Sequence, residues 1–325
     1  MMRGYKTAVQ TENDNREVWE MKIAVIGAGA MGSVYGGHLS LHNEVYLIDT
    51  NETIVQSITQ NGLTLQENGT ENLYYPKAVT SSASLEIVDL VVVFVKAMYS
   101  EAALKGCKNI IGPDTYVLTL QNGSGHENIL EKVVDKSRII IGTTEDNGAV
   151  LAPGHVRHGG VGNTNVGMPA GDAEEFLPKL KEAFESCGFH VRIHDNIQQL
   201  IWNKLFTNVS LSTTTALLQV PMGYIAKNEF AWQMVCSLLH EAVTTAHGLG
   251  LEADEGKLQE EIRRTSQNSP EGITSICADI RAGRKTEVDT ISGSVCMAAK
   301  KLGIPVPCQE FAVSMIHALE GRGTL

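Results

Sequence analysis

The stretch from Lys22 to Ser40, KIAVIGAGAMGSVYGGHLS, decides the fold of this chain. An apolar segment typical of a buried strand runs into a glycine-rich turn, and a helical pattern follows. The three glycines have the Gly-x-Gly-x-x-Gly spacing of a dinucleotide-binding turn, in which they permit the tight turn, close approach of the pyrophosphate and close helix packing. The turn residues expected to bind the cofactor are Gly27, Gly29, Ala30, Met31 and Gly32. A glycine-rich loop in another kind of α/β protein is the alternative.

The next apolar segment, EVYLID, ends at Asp49. An acid at this point accepts hydrogen bonds from the adenosine ribose of NAD and repels the 2′-phosphate of NADP. The stretch 43–76 contains no Lys or Arg that could bind such a phosphate. The sequence therefore predicts NADH rather than NADPH as the cofactor. If Asp49 only caps the following helix, this inference fails.

The remainder of the first half repeats the strand and helix pattern. Continuous β-branched runs such as VDLVVVFVK are typical of parallel strands that are covered on both faces. Strands are expected at 88–96, 115–122, 138–144 and 190–195, and helices near 31–40, 52–60, 99–106, 125–134 and 172–187. This alternation predicts an α/β, Rossmann-type doubly wound sheet. The glycine-rich stretch 148–167 is expected to form hairpins that finish the same sheet.

Helical periodicity dominates the second half of the chain, and prolines mark its breaks. Helices are expected at 197–219, 226–248, 255–267, 273–282, 287–302 and 307–320. The sequence thus predicts a flexible leader over 1–20, a dinucleotide-binding domain over 21–195, and an all-helical domain over 196–325 for substrate binding and dimerisation.

Composition excludes several classes of function. The 325 residues include 26 Lys and Arg against 37 Asp and Glu, a formal net charge of −11. Such an acidic chain without a basic run is a poor ligand for nucleic acid or an anionic membrane. No apolar run approaches the ~18 residues of a membrane span, and the leader lacks the apolar core of a secretory signal. Six scattered cysteines without a CxxC pair indicate reduced thiols and a cytoplasmic protein.

The helical segment IWNKLFTNVSLST, residues 201–213, carries polar residues at steps of four: Lys204, Asn208 and Ser212. Residues at this spacing share one helix face, which is either solvated or part of a site. Lys96 and Asn122 each follow a predicted buried strand, at the sheet edge where open α/β sheets bind ligands. Lys96 could instead mark the strand leaving the core, and Asn122 could be an ordinary turn residue before a glycine.

From Met21 onward the chain resembles the ketopantoate reductase family (2-dehydropantoate 2-reductases). The resemblance is carried by KIAVIGAGAMGS, VVVFVKAM, LQNGSGHENIL, WNKLFTN and DIRAGRKTEVD in this order. It implies reduction of 2-dehydropantoate to D-pantoate by hydride transfer from a nicotinamide cofactor, in the pathway to pantothenate. It also implies that Lys204 is the general acid, that Glu287 orients it, and that Ser275 binds the substrate carboxylate. Asn208 would bind substrate, while Lys96 and Asn122 would lie near both substrate and cofactor.

Two departures from the family pattern bear on substrate and cofactor. Ser212 stands where the best-known members carry an asparagine expected to meet the 4-hydroxyl of ketopantoate. The stretch DTNET after the second strand lacks their arginine for the 2′-phosphate, which favours NADH. An NAD-dependent D-2-hydroxy acid dehydrogenase for branched or aromatic 2-oxo acids is therefore the main alternative. A β-hydroxyacid dehydrogenase and a non-catalytic NADH sensor are further readings.

No metal site is expected. His240 and His247 are too widely spaced for a zinc protease motif, and His155 and His158 lie in a glycine-rich stretch without a Cys or acid at ligand spacing. A small-molecule substrate is the expected partner. A homodimer is expected, because the predicted helical domain carries exposed apolar helices.

Overall fold

The computed structural model describes residues 21–170 and 175–324. The predicted leader over 1–20 and the first residues of the helix predicted from 172 lie outside the described residues. Among the described residues no helix combines the length and apolarity needed to cross a membrane. All six cysteines are free.

The main sheet has eight strands in the order β12-β11-β8-β7-β6-β1-β2-β5. Neighbours run parallel, except that β11 is antiparallel to β8. The four central strands are almost fully buried because helices cover both faces, as their continuous apolar runs predicted. The Rossmann-type fold is confirmed. The strands are β1 (Lys22–Ile26), β2 (Glu44–Ile48), β5 (Lys77–Val79), β6 (Leu90–Val93), β7 (Tyr116–Thr119), β8 (Ile139–Thr144), β11 (Asn163–Gly167) and β12 (His190–Ile193).

A second sheet of four strands lies beside the first, in the order β4-β3-β10-β9. Its strands are β3 (Leu63–Glu67), β4 (Thr70–Tyr74), β9 (Asn147–Ala152) and β10 (His155–Gly160). The prediction that the hairpins of 148–167 finish the main sheet is therefore wrong for β9 and β10, since only β11 joins that sheet. Strand β10 pairs in parallel with β3, so its partner comes from far earlier in the chain.

The helices between the strands are α1 (Ala30–Leu39), α2 (Glu52–Asn61), α3 (Ser100–Gly106), α4 (His126–Leu130) and α5 (Phe176–Glu185). Helix α1 lies between the two sheets and contacts strands of both. Its glycines at 36 and 37 permit this, because an added Cβ would come within 3.2 Å of a Leu47 methyl or within 3.1 Å of a Leu65 methyl, respectively.

The second half is helical around its own apolar core, as predicted. Its helices are α6 (Ile197–Thr207), α7 (Thr213–Leu218), α8 (Met222–Lys227), α9 (Glu229–Gly248), α10 (Glu255–Asn268), α11 (Ser275–Arg281), α12 (Ser292–Leu302) and α13 (Pro307–Glu320). The helix predicted over 197–219 contains a π-helical segment, Asn208–Ser212, between α6 and α7. The helix predicted over 226–248 begins earlier and breaks at Asn228, the cap of α9.

Helix α6 joins the two halves. Its residues Ile197 and Ile201 pack into the core beneath the main sheet, whereas Trp202 and Leu205 belong to the helical core. The helix therefore holds Lys204 close to the end of β8.

Candidate active site at the sheet edge

The glycine turn after β1 has the geometry that binds a dinucleotide. Gly27 has φ of +101°, a conformation that side chains disfavour. A Cβ on Gly32 would lie 1.7 Å from the Gly27 carbonyl oxygen, so only glycine fits there. By contrast, no protein atom lies within 4 Å of the position that a Cβ on Gly29 would occupy. It caps α1 without a side-chain hydrogen bond, which leaves the first N–H groups of the helix free for a phosphate.

Asp49 lies beside this turn at the end of β2. Its carboxylate accepts hydrogen bonds from the Ala28 N–H at 2.7 Å and the Asn51 N–H at 2.8 Å. The side chain of Asn51, not that of Asp49, caps helix α2. Asp49 and Gly27 line a cavity of about 550 Å³, whose described walls carry no Lys or Arg. The turn and this cavity fit the pyrophosphate and adenosine of a dinucleotide.

A second cavity of about 330 Å³ opens on the other side of the turn and joins residues from both halves of the chain. Its walls include seven residues predicted from sequence, which are Gly29, Ala30, Met31, Lys96, Asn122, Lys204 and Glu287. They also include residues that sequence reasoning missed, namely Phe94, Val95, Leu120, Gln121, Thr144 and Asp146.

Lys204 reaches this cavity from α6, and its Nζ donates a hydrogen bond to the Thr144 carbonyl at 3.1 Å. Lys204 is exposed as a residue, yet neighbouring protein atoms desolvate its ammonium group. This desolvation lowers the pKa of Lys204, opposed by the negative charges of Glu145 and Glu287. The pKa of the Lys204 ammonium therefore lies below that of an ordinary lysine.

Glu287 approaches the same cavity from the loop before α12. Its carboxylate accepts a hydrogen bond from the Ala97 N–H at 3.4 Å. Burial raises its pKa, and the charges of Lys96 and Lys204 oppose this. The expected direct contact with Lys204 is absent among the described residues, because the lysine binds the Thr144 carbonyl instead. Glu287 acts on Lys204 through its charge.

Lys96 connects the two halves of the chain. Its Nζ donates hydrogen bonds to Asp279 Oδ2 at 2.8 Å and to the Lys285 carbonyl at 2.6 Å. Its ion pair with Asp279 is two-thirds shielded from solvent on the lysine side. Lys96 therefore does more than mark the end of a strand, since it brings the loop that carries Glu287 to the sheet edge.

Asn122 is fixed by its backbone, whose carbonyl accepts hydrogen bonds from His126 and Thr290. Its side-chain amide forms no hydrogen bond among the described residues and lies at the wall of the cavity. Asn208 opens the π-helical segment, and its Oδ1 accepts a hydrogen bond from Ser212 Oγ at 3.4 Å.

Ser212 is buried and does not line the described cavity. Ser275 is exposed at the start of α11, also outside the cavity wall. The preceding residue, Thr274, donates a hydrogen bond to the Ser212 carbonyl at 3.4 Å, which ties the start of α11 to the π-helical segment. The roles predicted for Asn208, Ser212 and Ser275 stay predictions.

Comparison with known proteins identifies the family. The model of Ketopantoate reductase PanE/ApbA matches residues 23–171, and that of its C-terminal region matches 196–320. The chain belongs to the ketopantoate reductase family. The 2-dehydropantoate 2-reductase of Pyrococcus abyssi is 31% identical over 306 residues, covering 93% of this chain and 100% of that protein. The enzyme of the same name from Streptococcus pyogenes is 30% identical, covering 92% of this chain and 98% of that protein.

A solved ternary structure of D-mandelate dehydrogenase with NADH and anilino(oxo)acetate is also similar. It has a TM-score of 0.86 and 33% identity, covering 94% of this chain and 100% of that one. The family membership confirms that the protein is an NAD(P)-dependent oxidoreductase of the 2-dehydropantoate 2-reductase type.

Proposed function

We propose that this ketopantoate reductase family member reduces a 2-oxo acid to its 2-hydroxy acid with NADH, and that 2-dehydropantoate is its substrate, giving D-pantoate. One observation carries the proposal. A single cavity at the glycine turn is lined by Lys204, Glu287 and Asn122, so a cation, a carboxylate and an amide face the space next to the cofactor turn.

The nicotinamide, when bound, supplies the hydride that reduces the C2 carbonyl. The protein must then stabilise negative charge on the carbonyl oxygen and deliver a proton to it. Lys204 carries a positive charge for the first task and an Nζ proton for the second. Its lowered pKa eases the proton transfer, because an ammonium with a lower pKa is a stronger acid and gives up its proton more readily.

Glu287 supplies a carboxylate beside the two lysines of the cavity wall. Its carboxylate faces the charges of Lys96 and Lys204, and we infer that it accepts a hydrogen bond from a substrate hydroxyl. Asn122 and Asn208 have amides that can orient the substrate without altering the charge balance. Ser275 is assigned to the substrate carboxylate by the family resemblance, and closure of the helical half over the sheet edge would bring it closer.

The proposal of NADH rests on Asp49. Its carboxylate is held by the N–H groups of Ala28 and Asn51, and the described walls of the adjoining cavity offer no cation for a 2′-phosphate. An ionised acid in that position favours a ribose diol and disfavours a second phosphate.

Ser212 favours a second candidate, a D-2-hydroxy acid dehydrogenase for 2-oxo acids without a 4-hydroxyl. The serine hydroxyl is buried and donates to Asn208, so no amide at this position extends toward a substrate hydroxyl. The similarity to D-mandelate dehydrogenase supports the same candidate.

The deciding experiment is NADH oxidation at ~340 nm with 2-dehydropantoate, 2-oxoisovalerate and phenylglyoxylate, repeated with NADPH. Highest kcat/KM for 2-dehydropantoate with NADH would support the first candidate. Highest kcat/KM for a substrate that lacks the hydroxyl would support the second. NADH binding without turnover of any of the three would contradict both.

A homodimer and a cytoplasmic location remain predictions. The helical half exposes large apolar side chains, among them Phe230 at 75% and Phe311 at 67%. Exposed apolar groups of this size are common at subunit interfaces. Sedimentation equilibrium of the full chain tests the dimer.

A further inference from the structure

His158 lies in strand β10 between two carboxylates. Its Nε2 is 2.9 Å from Asp146 Oδ1, and its Nδ1 is 2.8 Å from Glu67 Oε1. The side chains of His158 and Asp146 are 4% and 1% exposed. The sequence around His158 offers no acid at ligand spacing, and strand pairing brings these two acids to it from elsewhere in the chain.

Both ring nitrogens of His158 face carboxylate oxygens, and two ionised carboxylates can only accept. Both nitrogens must then donate, which makes the ring an imidazolium. The hydrogen bonds to Asp146 and Glu67 raise the pKa of His158 to about 9, against the opposing effect of burial. Nearby titratable groups include His38, whose ring lies 5.7 Å away on α1, and Tyr74 on β4. Tyr74 donates to Oε2 of Glu67 at 3.0 Å, and Asn72 donates to the same atom at 3.1 Å.

The same residues resemble a metal site, since ligand atoms of His38, Glu67 and His158 lie within 4.8 Å of one another. The distances between these ligand atoms favour hydrogen bonds rather than a shared metal ion. Glu67 Oε1 is 2.6 Å from His38 Nε2 and 2.8 Å from His158 Nδ1. These are hydrogen-bond lengths, whereas two ligands of a tetrahedral zinc ion at about 2.0–2.1 Å from the metal are separated by roughly 3.3 Å.

This buried charge cluster connects to the catalytic lysine. Asp146 Oδ2 accepts a hydrogen bond from Thr144 Oγ1 at 3.0 Å, and Thr144 Oγ1 in turn accepts one from the Asp146 N–H at 3.0 Å. Two hydrogen bonds thus fix Thr144 to Asp146. The Thr144 carbonyl accepts the hydrogen bond of Lys204 Nζ. A continuous path runs from the cavity through the end of β8 to the second sheet.

We propose that protonated His158 is a positioning residue for the reduction: it holds Asp146, and through Asp146 the Thr144 carbonyl that binds the Lys204 ammonium. The proposal rests on the proposed function, because it assumes that Lys204 delivers the proton. Loss of the His158 proton leaves one carboxylate facing a ring lone pair, and the repulsion loosens the Thr144 peptide. Activity then falls through kcat, while the cofactor turn is unaffected.

The test is Glu67→Gln, at the end of the cluster remote from the cavity. Glu67 lines neither cavity, so it acts on the site through its neighbours: His158 connects it to Thr144, and His38 connects it to α1 and the cofactor turn. An effect through α1 would appear in KM for NADH. Removing one of two acids should lower the pKa of His158 by about one unit or more. The alkaline limb of kcat should move to lower pH by a similar amount, with KM for NADH and substrate within about twofold. Glu71→Gln is the matched control, since Glu71 forms an exposed ion pair with His155 on the same sheet.

An unchanged alkaline limb in folded Glu67→Gln would overturn the proposal. If that variant does not fold, His38→Ala tests the cluster in the opposite direction. Loss of the His38 hydrogen bond makes Glu67 a stronger base, so the limb should move to higher pH, and an unmoved limb again refutes the idea.

Histidine ¹⁵N NMR of the wild-type protein needs no turnover and separates this proposal from the proposed function. A ring of His158 that carries both protons at pH 8 is expected. A neutral ring, or stoichiometric metal found by mass spectrometry of the purified protein, would overturn the proposal even if the enzyme reduces 2-dehydropantoate.

Discussion

The choice between NADH and NADPH can be tested by replacing Asp49 with asparagine. The amide oxygen can still accept the hydrogen bond of the Ala28 N–H, which is 2.7 Å from the carboxylate. The negative charge at the mouth of the adenosine cavity is removed. Affinity for NADPH should therefore rise relative to NADH, while the glycine turn keeps its shape.

The magnitude follows from the charges present. Two like unit charges about 5 Å apart at an effective dielectric constant of ~20 repel by roughly 3 kcal/mol. Asp49 is partly solvated, and no cation of the described cavity wall offsets its charge. Screening by solvent and salt reduces the effect. We expect Asp49→Asn to lower the ratio of NADPH to NADH dissociation constants by about 10- to 100-fold, or roughly 1.4–2.8 kcal/mol.

Quenching of protein fluorescence on titration with each cofactor measures both constants. Glu52→Gln is the matched control, because Glu52 is an exposed acid at the start of α2 and does not line the cavity. The control should leave the ratio unchanged. If Asp49→Asn also leaves it unchanged, or if wild-type protein binds NADPH more tightly, the argument from Asp49 is refuted.

Three further outcomes are expected. Lys204→Ala should lower kcat by roughly 10²–10⁴, the scale of a positioned acid, with NADH affinity unchanged in the same titration; unaltered turnover would remove the lysine from the mechanism. Ser212→Asn should raise kcat/KM for 2-dehydropantoate relative to that for 2-oxoisovalerate by about tenfold, the contribution of one hydrogen bond. A ratio of the two kcat/KM values that does not rise would show that the added amide does not meet the hydroxyl. Because the pKa of His158 is raised to about 9 in the folded protein from ~6.5 when unfolded, its contribution to stability is full below pH ~6.5 and is lost as pH rises to ~9. In urea unfolding, the stability difference between wild type and His158→Gln should shrink over this range by up to roughly 3 kcal/mol, whereas a constant difference would contradict a charged ring.

The main sheet could be predicted because its strands are buried on both faces and read as continuous apolar runs. The second sheet could not. Strand β4 is exposed along most of its length, so it lacks the apolar pattern by which the others were recognised. Strand β10 pairs with β3 across a long stretch of chain, and local patterns carry no information about such a partner.

The same limit applies to the site. Lys204 and Asn122 stand out in the sequence by helix spacing and strand end, and the family resemblance added Glu287 and gave each residue a role. The structure adds Thr144 and Asp146, whose importance depends on contacts with α6 and β10 that spacing cannot reveal. The ion pair of Lys96 with Asp279 is likewise a consequence of how the two halves pack.

The π-helical segment sets the angular phase between Lys204 and Ser212. Eight residues of regular α-helix turn through 800°, which would leave the two side chains about 80° apart. The wider turn from Asn208 to Ser212, closed by a hydrogen bond from the Thr213 N–H to the Asn208 carbonyl, rotates less per residue and therefore narrows this angle. Because a π-helical turn holds about one residue more than an α-helical turn, loss of one residue from this segment would restore a regular α-helix and leave α7 nearly unrotated relative to Lys204. Such a deletion would therefore alter the segment itself, where Asn208 and Ser212 lie, and would leave the helices that follow it in place.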